Sequence, residues 1–239
     1  MTDPTAPRRF GDLRIGGLAR FSTVDWPDRL TATVFLRGCP WRCPYCHNPD
    51  LLTAHPPDDA KDVAWSDILA FLDSRRGLLD GVVFSGGEPT AQRGLSDAID
   101  AVRALGFAVG LHTGGPWPER LATALPRLDW VGFDVKAPFD DYAAVTGVPG
   151  SGVAARDSLR RLIASGVSFE ARTTVHPALL DAAALDRLAA DLAAMGVRDI
   201  VLQHARPTAA LPADPDGRSF PALAASRATA FATVTTRAE

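Results

Sequence analysis

The stretch LSDAIDAVRALGFAVGLHT, residues 95–113, combines two periodicities that are separated by one glycine. Its apolar residues first recur at intervals of three or four, a spacing that puts them on one face of a helix. They are Leu95, Ala98, Ile99, Val102 and Leu105. Gly106 suits the left-handed backbone that ends many helices, and the β-rich segment 107–113 follows at once. The stretch therefore predicts a helix that ends at a glycine and leads directly into a strand.

The same unit recurs along the chain. Gly166 and Gly196 also separate a helical pattern from a strand, and a second apolar stripe comprises Leu185, Leu188, Leu192 and Met195. Six strands are predicted, at residues 30–38, 81–87, 107–113, 130–136, 168–175 and 199–205. Strands that alternate with helices, through connections long enough to join parallel neighbours, indicate an α/β fold. Right-handed crossovers then allow either an open, doubly wound sheet or a barrel-like sheet.

Length and composition favour one globular domain. The chain has 239 residues, of which 46% are apolar, and this is enough for one large core. We expect residues 10–239 to form that single domain, after a disordered tail at residues 1–9. A loop rich in Pro, Gly and Asp at residues 212–221 and a short Ala-rich helix are expected to close the chain.

Charge and cysteine usage argue against several classes of protein. The net charge is −3 and no basic run is longer than two residues, so nucleic-acid binding has little electrostatic support. The N-terminus lacks the apolar segment of a secretory signal, and no stretch approaches 18 apolar residues. We therefore expect a cytoplasmic protein without a membrane segment. All three cysteines lie within eight residues, which excludes a disulfide framework.

The segment GCPWRCPYCHNPD, residues 38–50, contains all three cysteines and allows four interpretations. CPYCH matches a haem-attachment pattern, but covalent haem usually occurs in exported proteins. A thioredoxin-like pair of Cys43 and Cys46 leaves Cys39 without a role. A zinc site needs His47 as its fourth ligand, and directly adjacent side chains rarely reach one small ion. Three thiolates can instead hold a cubane iron–sulfur cluster that leaves one iron open to a substrate.

Polar residues follow the predicted strands at their carboxyl ends, where ligands bind in both candidate architectures. They include Ser85 to Glu88 after the second strand, His112 to Gly115 after the third, Asp134 and Lys136 on the fourth, Glu170, Arg172 and Thr174 on the fifth, and Gln203 and His204 on the sixth. Taken singly, each has a structural explanation, such as an ion pair or a turn. Charges on otherwise apolar strands are costly unless they are paired or functional, so their joint placement predicts a site.

These residues carry a resemblance to a known family. The spacing Cys39-x3-Cys43-x2-Cys46, with Tyr45 before the last cysteine, is similar to the signature of the radical S-adenosylmethionine (radical SAM) enzymes, and Gly86-Gly87-Glu88 is its usual companion. Within that superfamily the chain resembles the glycyl-radical-enzyme activases. The segments FSTVDWPDRL, GCPWRCPYCHNPDLL, FSGGEPT, DVKAP and RTTV look most like those of the proteins that activate anaerobic ribonucleoside-triphosphate reductases. The resemblance extends from Gly16 to Pro207.

The resemblance implies a parallel (β/α)6 partial TIM-type barrel, the radical SAM core. It implies that Cys39, Cys43 and Cys46 are catalytic residues that hold a [4Fe-4S] cluster, whose open iron binds the amino and carboxylate groups of SAM. The backbone of Tyr45 would meet the adenine. Further contacts to SAM are implied for Gly86, Gly87, Glu88, Asp134, Lys136, Arg172 and His204.

The implied activity is reductive cleavage of SAM to methionine and a 5′-deoxyadenosyl radical, which takes a hydrogen atom from a glycine of a partner protein. The implied partner is a glycyl-radical enzyme, the anaerobic ribonucleotide reductase. No cysteine is left for a second cluster, so flavodoxin or ferredoxin would supply the electron. Two alternatives remain open: a radical SAM enzyme that acts on a small molecule, similar to 7-carboxy-7-deazaguanine synthase, and a non-catalytic zinc- or cluster-binding module.

Two positions depart from the pattern of the activases. His112 stands where related activases often have an Asp that helps to hold a monovalent cation beside the SAM carboxylate. A neutral histidine is a poor ligand for such a hard ion, so we expect no cation at this position. Asp28 stands where a glycine is common, so the partner is expected to dock differently there.

Overall fold

The structure is a computed structural model that describes residues 13–55, 62–213 and 233–237. The predicted tail at residues 1–9 and most of the predicted loop at 212–221 lie outside these ranges. The Ala-rich segment expected to form the last helix also falls mainly outside them. The last described residues, 233–237, form a strand.

Eight strands form one sheet in the order in which they occur in the chain. They are β1 (Ile15–Ser22), β2 (Thr31–Leu36), β3 (Gly81–Gly86), β4 (Ala108–Thr113), β5 (Trp130–Asp134), β6 (Ser168–Val175), β7 (Asp199–His204) and β8 (Thr233–Arg237). Strands β2 to β8 are parallel, and β1 pairs with β2 in the antiparallel direction. A doubly wound sheet reverses its strand order at a switch point. This sheet has no reversal, which agrees with the partial barrel.

Six α-helices are described, all of them after β2. They are α1 (Trp65–Asp73), α2 (Leu95–Ala104), α3 (Pro118–Ala124), α4 (Tyr142–Thr146), α5 (Ser151–Ser165) and α6 (Ala182–Ala194). The predicted stripes are buried along α2 and α6, and their last residues, Leu105 and Met195, are half-buried at the helix ends. Gly106, Gly166 and Gly196 all have positive φ, which confirms the predicted ends of these units. None of the described helices is both long and apolar enough to cross a membrane.

The two strands that the sequence analysis missed lie at the edges of the sheet. β1 has the sequence IGGLARFS, and its two glycines and one arginine weaken any β pattern. β8 has the sequence TVTTR, too short and too polar to be distinguished from a loop. The six predicted strands correspond to β2 through β7.

The loop between β1 and β2 packs against the inner face of the sheet, near the amino ends of the parallel strands. Trp26 on this loop is buried and stacks on Trp130 of β5, with ring centroids 5.4 Å apart. Gly110 on β4 leaves room for the indole, because a Cβ there would lie 3.0 Å from Trp26 Cε3. The apolar alternate residues of β2, such as Val34 and Leu36, belong instead to the main core. The loop therefore leaves space for a cavity at the carboxyl ends of the strands.

Candidate active site

A cavity of about 720 Å³ lies at the carboxyl ends of the parallel strands. It brings together ten of the eleven site residues that the sequence analysis proposed: Cys39, Cys43, Tyr45, Cys46, Gly86, Gly87, Glu88, Asp134, Lys136 and Arg172. His204 is not among the residues that line it, whereas its neighbour Gln203 is. Successive side chains of a strand point to opposite faces, so the end of β7 presents Gln203 and not His204 to the cavity.

Backbone hydrogen bonds fix the cysteine loop on several sides. The amide of Gly38 donates to Leu51 O at 2.7 Å, and the amide of Cys39 donates to Leu52 O at 3.1 Å. The guanidinium of Arg42 donates to Cys39 O at 2.7 Å. From the far end of the chain, Thr208 Oγ1 donates to Pro44 O at 2.6 Å. These hydrogen bonds within the protein therefore fix the conformation of the cysteine loop.

The three thiols fit an iron–sulfur cluster by their chemistry and placement. All are free cysteines that face the same cavity. Burial raises the pKa of Cys39 to about 12 and also raises the pKa of Cys43, and metal binding deprotonates such thiols. Across residues 13–55, 62–213 and 233–237, no three His, Cys, Asp or Glu side chains converge on a single ion. A four-iron cluster instead spreads its cysteine ligands over separate irons.

Gly86 packs against the end of β2, and Gly87 packs against the start of the cysteine loop. Gly86 has φ +115°, and a Cβ on it would lie within 2.9 Å of Phe35 C and closer still to the backbone of Leu36. A Cβ on Gly87 would lie 2.6 Å from Gly38 O. The amide of Gly87 donates to Leu36 O, and that of Glu88 to Gly38 O, both at 2.8 Å. These glycines therefore position the cysteine loop as well as lining the cavity.

The Glu88 side chain joins the ends of β3 and β4. Its Oε1 accepts from Thr90 N at 3.0 Å, from Thr90 Oγ1 at 2.6 Å and from Thr113 Oγ1 at 2.8 Å. Its Oε2 accepts from Gly114 N at 3.0 Å. Burial raises the pKa of Glu88, although these hydrogen bonds work in the opposite direction. The carboxyl group is thus largely committed to holding two loops together.

Glu88→Gln is expected to destabilise the fold. An amide nitrogen placed at either oxygen position would face N–H or O–H donors, and a buried unsatisfied donor costs roughly 1–3 kcal/mol. Anaerobic urea denaturation of the iron-loaded protein measures the difference. Glu119→Gln is the matched control, because Glu119 is 81% exposed and pairs with Arg161 at the surface; its effect should stay below about 0.5 kcal/mol. Equal stability of Glu88→Gln and wild type would contradict this role for Glu88.

Asp134, Lys136 and Arg172 form a charged group on the wall of the cavity. Asp134 Oδ1 lies 2.9 Å from Arg172 Nη2, and Asp134 Oδ2 lies 3.5 Å from Lys136 Nζ. Burial works to raise the pKa of Asp134, but the two cations outweigh it and hold this pKa below its usual value. Two cations and one carboxylate leave one net positive charge. The group therefore suits an anionic part of a ligand.

Trp41 is a cavity residue that the sequence analysis did not propose. It is buried, and Lys136 Nζ lies 5.9 Å from its ring centroid and 5.8 Å from that of Tyr45. Gly114 on the loop after β4 leaves room for the indole, since a Cβ there would collide with it. The only sequence signal for this role was the position of Trp41 between two cysteines. The aromatic pair and the ammonium together form one wall of the cavity.

Comparison with known proteins assigns the chain to a family. The model of the radical SAM superfamily matches residues 33–186, which include the cysteine loop, Glu88 and the charged group. The chain belongs to the radical SAM superfamily. Its cofactors are accordingly a [4Fe-4S] cluster and SAM, and its three cysteines are the thiols available to the cluster.

Two curated relatives of this radical SAM protein are informative. It is 32% identical over 177 residues to a Methanocaldococcus jannaschii protein that is provisionally named a glycyl-radical enzyme activating enzyme, with 70% of each chain covered. It is 30% identical over 174 residues to the pyruvate formate-lyase-activating enzyme of Clostridium pasteurianum, with 70% of this chain and 71% of the other covered. The chain is thus an enzyme related to the activating enzymes of that superfamily.

Solved structures agree with the fold. QueE from Escherichia coli aligns with a TM-score of 0.58 at 19% identity, over 95% of this chain and 94% of QueE. SuiB of Streptococcus suis bound to S-adenosylmethionine aligns with a TM-score of 0.61 at 13% identity, over 84% of this chain and 48% of SuiB. At these identities the likeness concerns the fold alone.

Proposed function

We propose that this enzyme generates a glycyl radical on an anaerobic ribonucleoside-triphosphate reductase. The observation that carries the proposal is the similarity to glycyl-radical enzyme activating enzymes over 70% of the chain. The cavity that three cysteines line supports it. The choice of the reductase as partner rests on FSTVDWPDRL before β2 and on the sequence that surrounds the cysteines.

The residues of the cavity have distinct roles in the proposed reaction. Cys39, Cys43 and Cys46 would hold the [4Fe-4S] cluster, which would supply the single electron for the reductive cleavage of SAM. Lys136 and Arg172 would bring positive charge to the SAM carboxylate, and Asp134 pairs with both of them. Tyr45 would border the adenine, and the backbone at Gly86 and Gly87 would border the methionyl amino group. His204 has no role in this proposal, because it does not face the cavity.

Exposed apolar residues lie at or near the edge of the cavity, on the side of the β1–β2 loop. Val24 on the β1–β2 loop lines the cavity and is 75% exposed. Phe21, three residues earlier, is 63% exposed. In the proposed reaction a glycine on a loop of the reductase would approach bound SAM from this side and would lose a hydrogen atom from its Cα to the 5′ carbon derived from SAM. In the same proposal the enzyme works in the cytoplasm and receives its electron from flavodoxin or ferredoxin.

Transfer of deuterium from the partner tests this function. The reductase is prepared with α-deuterated glycine and mixed anaerobically with the reduced enzyme and SAM. We expect 5′-deoxyadenosine that has gained one deuterium, measured by mass spectrometry, and no gain when the radical glycine of the reductase is replaced by Ala. 5′-Deoxyadenosine that stays unlabelled with the deuterated reductase would contradict the proposal and would favour a small-molecule substrate.

A further inference from the structure

Arg172 lies buried at the base of the cavity, and groups on β4 and β5 hold its guanidinium. Its Nε donates to Asp134 Oδ1 at 3.0 Å, and its Nη2 lies 2.9 Å from the same oxygen. Its Nη1 lies 3.1 Å from Nε2 of His112. The guanidinium covers Gly132, where a Cβ would come within 2.9 Å of three of its atoms. Its position is therefore determined by the neighbouring strands.

The ring of His112 has two competing partners at one nitrogen. Its Nε2 is 2.7 Å from Asp25 O and 3.1 Å from Arg172 Nη1. A carbonyl only accepts a hydrogen bond and a guanidinium only donates one, so Nε2 serves one of them at a time. Its Nδ1 is 3.2 Å from Ser85 Oγ, which can donate or accept. Ser85 Oγ can therefore form a hydrogen bond with Nδ1 in either neutral tautomer of the ring.

Each tautomer connects His112 to a different part of the protein. With the proton on Nε2, the ring donates to Asp25 O and accepts from Ser85. With the proton on Nδ1, the ring donates to Ser85 and accepts from Arg172. Burial and the charge of Arg172 lower the pKa of His112 to about 4, although Asp134 and Asp25 oppose this. At neutral pH the ring therefore carries a single proton, and the two arrangements exclude each other.

We propose that His112 is a positioning residue that links the β1–β2 loop to Arg172 and thereby changes the affinity of the enzyme for SAM. The loop end of this link is firmly built: Asp25 Oδ2 accepts from Thr33 Oγ1 at 2.6 Å, and the adjacent Trp26 is buried against Trp130. The inference rests on the assignment of SAM to this cavity, and it deepens the proposed function, because the same loop lines the cavity at Val24.

Two substitutions at His112 separate positioning from packing. His112→Phe keeps an aromatic ring that can preserve the edge contact with Trp130, at present 5.7 Å between centroids, but removes both nitrogens. His112→Gln places an amide donor and an acceptor near the position of Nε2. We expect His112→Phe to weaken SAM binding about 10-fold, because one hydrogen bond to a charged group is lost. His112→Gln should restore the dissociation constant to within about threefold of wild type.

The measurement is anaerobic calorimetry of SAM binding to the cluster-loaded enzyme, without any reductase, alongside iron content and thermal midpoint. Because no reductase is present, the outcome is independent of which partner the enzyme activates. An unchanged dissociation constant in His112→Phe would overturn the proposal. An equal loss in His112→Phe and His112→Gln would also overturn it, since only the shape of the ring would then matter.

Ser85→Ala provides a second test that leaves the histidine in place. Without Ser85 Oγ the proton on Nδ1 has no acceptor, so the tautomer that binds Arg172 is disfavoured. We expect SAM binding to weaken about threefold in the wild-type background and not at all in His112→Phe. Equal losses in both backgrounds would overturn the proposal. This comparison remains decisive even if His112→Phe lowers the thermal midpoint.

Discussion

Cys43→Ala is expected to abolish the cleavage of SAM. Cys43 is one of only three cysteines in the chain, and the thiols face one cavity between the end of β2 and the charged group. With two thiolates left, no further cysteine can replace the lost ligand of the cluster. We expect a fall of at least about 1000-fold in 5′-deoxyadenosine formation, which corresponds to roughly 4 kcal/mol in the activation free energy.

The measurement is 5′-deoxyadenosine formed after anaerobic reconstitution and reduction, together with the iron and sulfide content of each sample. Thr53→Ala is the matched control, because Thr53 is exposed just after the same loop. We expect the control to retain wild-type yield and iron content. A full yield of 5′-deoxyadenosine from Cys43→Ala would refute the assignment of the cluster to these cysteines.

Gly86→Ala is expected to have the largest effect on stability. Gly86 combines φ +115° with backbone atoms of Phe35 and Leu36 at the place where a Cβ would lie. Rigid backbone cannot move aside as a flexible side chain can, so conformational strain and overpacking add. We expect a loss of about 4 kcal/mol in the free energy of unfolding, and a lower iron content, because the displaced backbone belongs to the strand that leads into the cysteine loop.

Gly77→Ala separates these two causes. Gly77 also has positive φ, at +75°, but nothing lies within 4 Å of its hypothetical Cβ. Only the conformational cost applies there, which is roughly 1–2 kcal/mol, and iron content should not change. Urea denaturation of both variants under anaerobic conditions gives the comparison. An equal loss of free energy of unfolding in both variants would contradict a contribution from the packing of β3 against the strand that leads into the cysteine loop.

The repeating helix–glycine–strand unit made most of the fold predictable. The stripe from Leu95 to Val102 and the glycine at 106 are local signals, and both reappear in the structure. The strand ends were also predictable as a site, because parallel strands place their carboxyl ends together. The choice between a doubly wound and a barrel-like sheet depends on the order of the strands, which cannot be read from residue patterns. The prediction of a partial barrel came from the resemblance to radical SAM enzymes.

Other features depended on contacts between residues that are distant in the chain. His204 was proposed for the cavity because it ends a strand, yet a shift of one residue decides which side chain faces inward, and Gln203 does. Glu88 was expected only to contact SAM, but its oxygens also accept hydrogen bonds from Thr90, Thr113 and Gly114. Trp26 gave no sequence signal for its place inside the sheet, since the space for it is left by glycines on other strands.

The central claim, that this enzyme installs a glycyl radical on an anaerobic ribonucleotide reductase, is tested most directly by electron paramagnetic resonance. The cluster is reconstituted and reduced without oxygen, and SAM and the reductase are added. The account predicts a doublet from a glycyl radical on the reductase, absent with the Cys43→Ala enzyme. Accumulation of 5′-deoxyadenosine in the same tube without a doublet would contradict the claim, because SAM would then be cleaved without transfer of the radical to this partner.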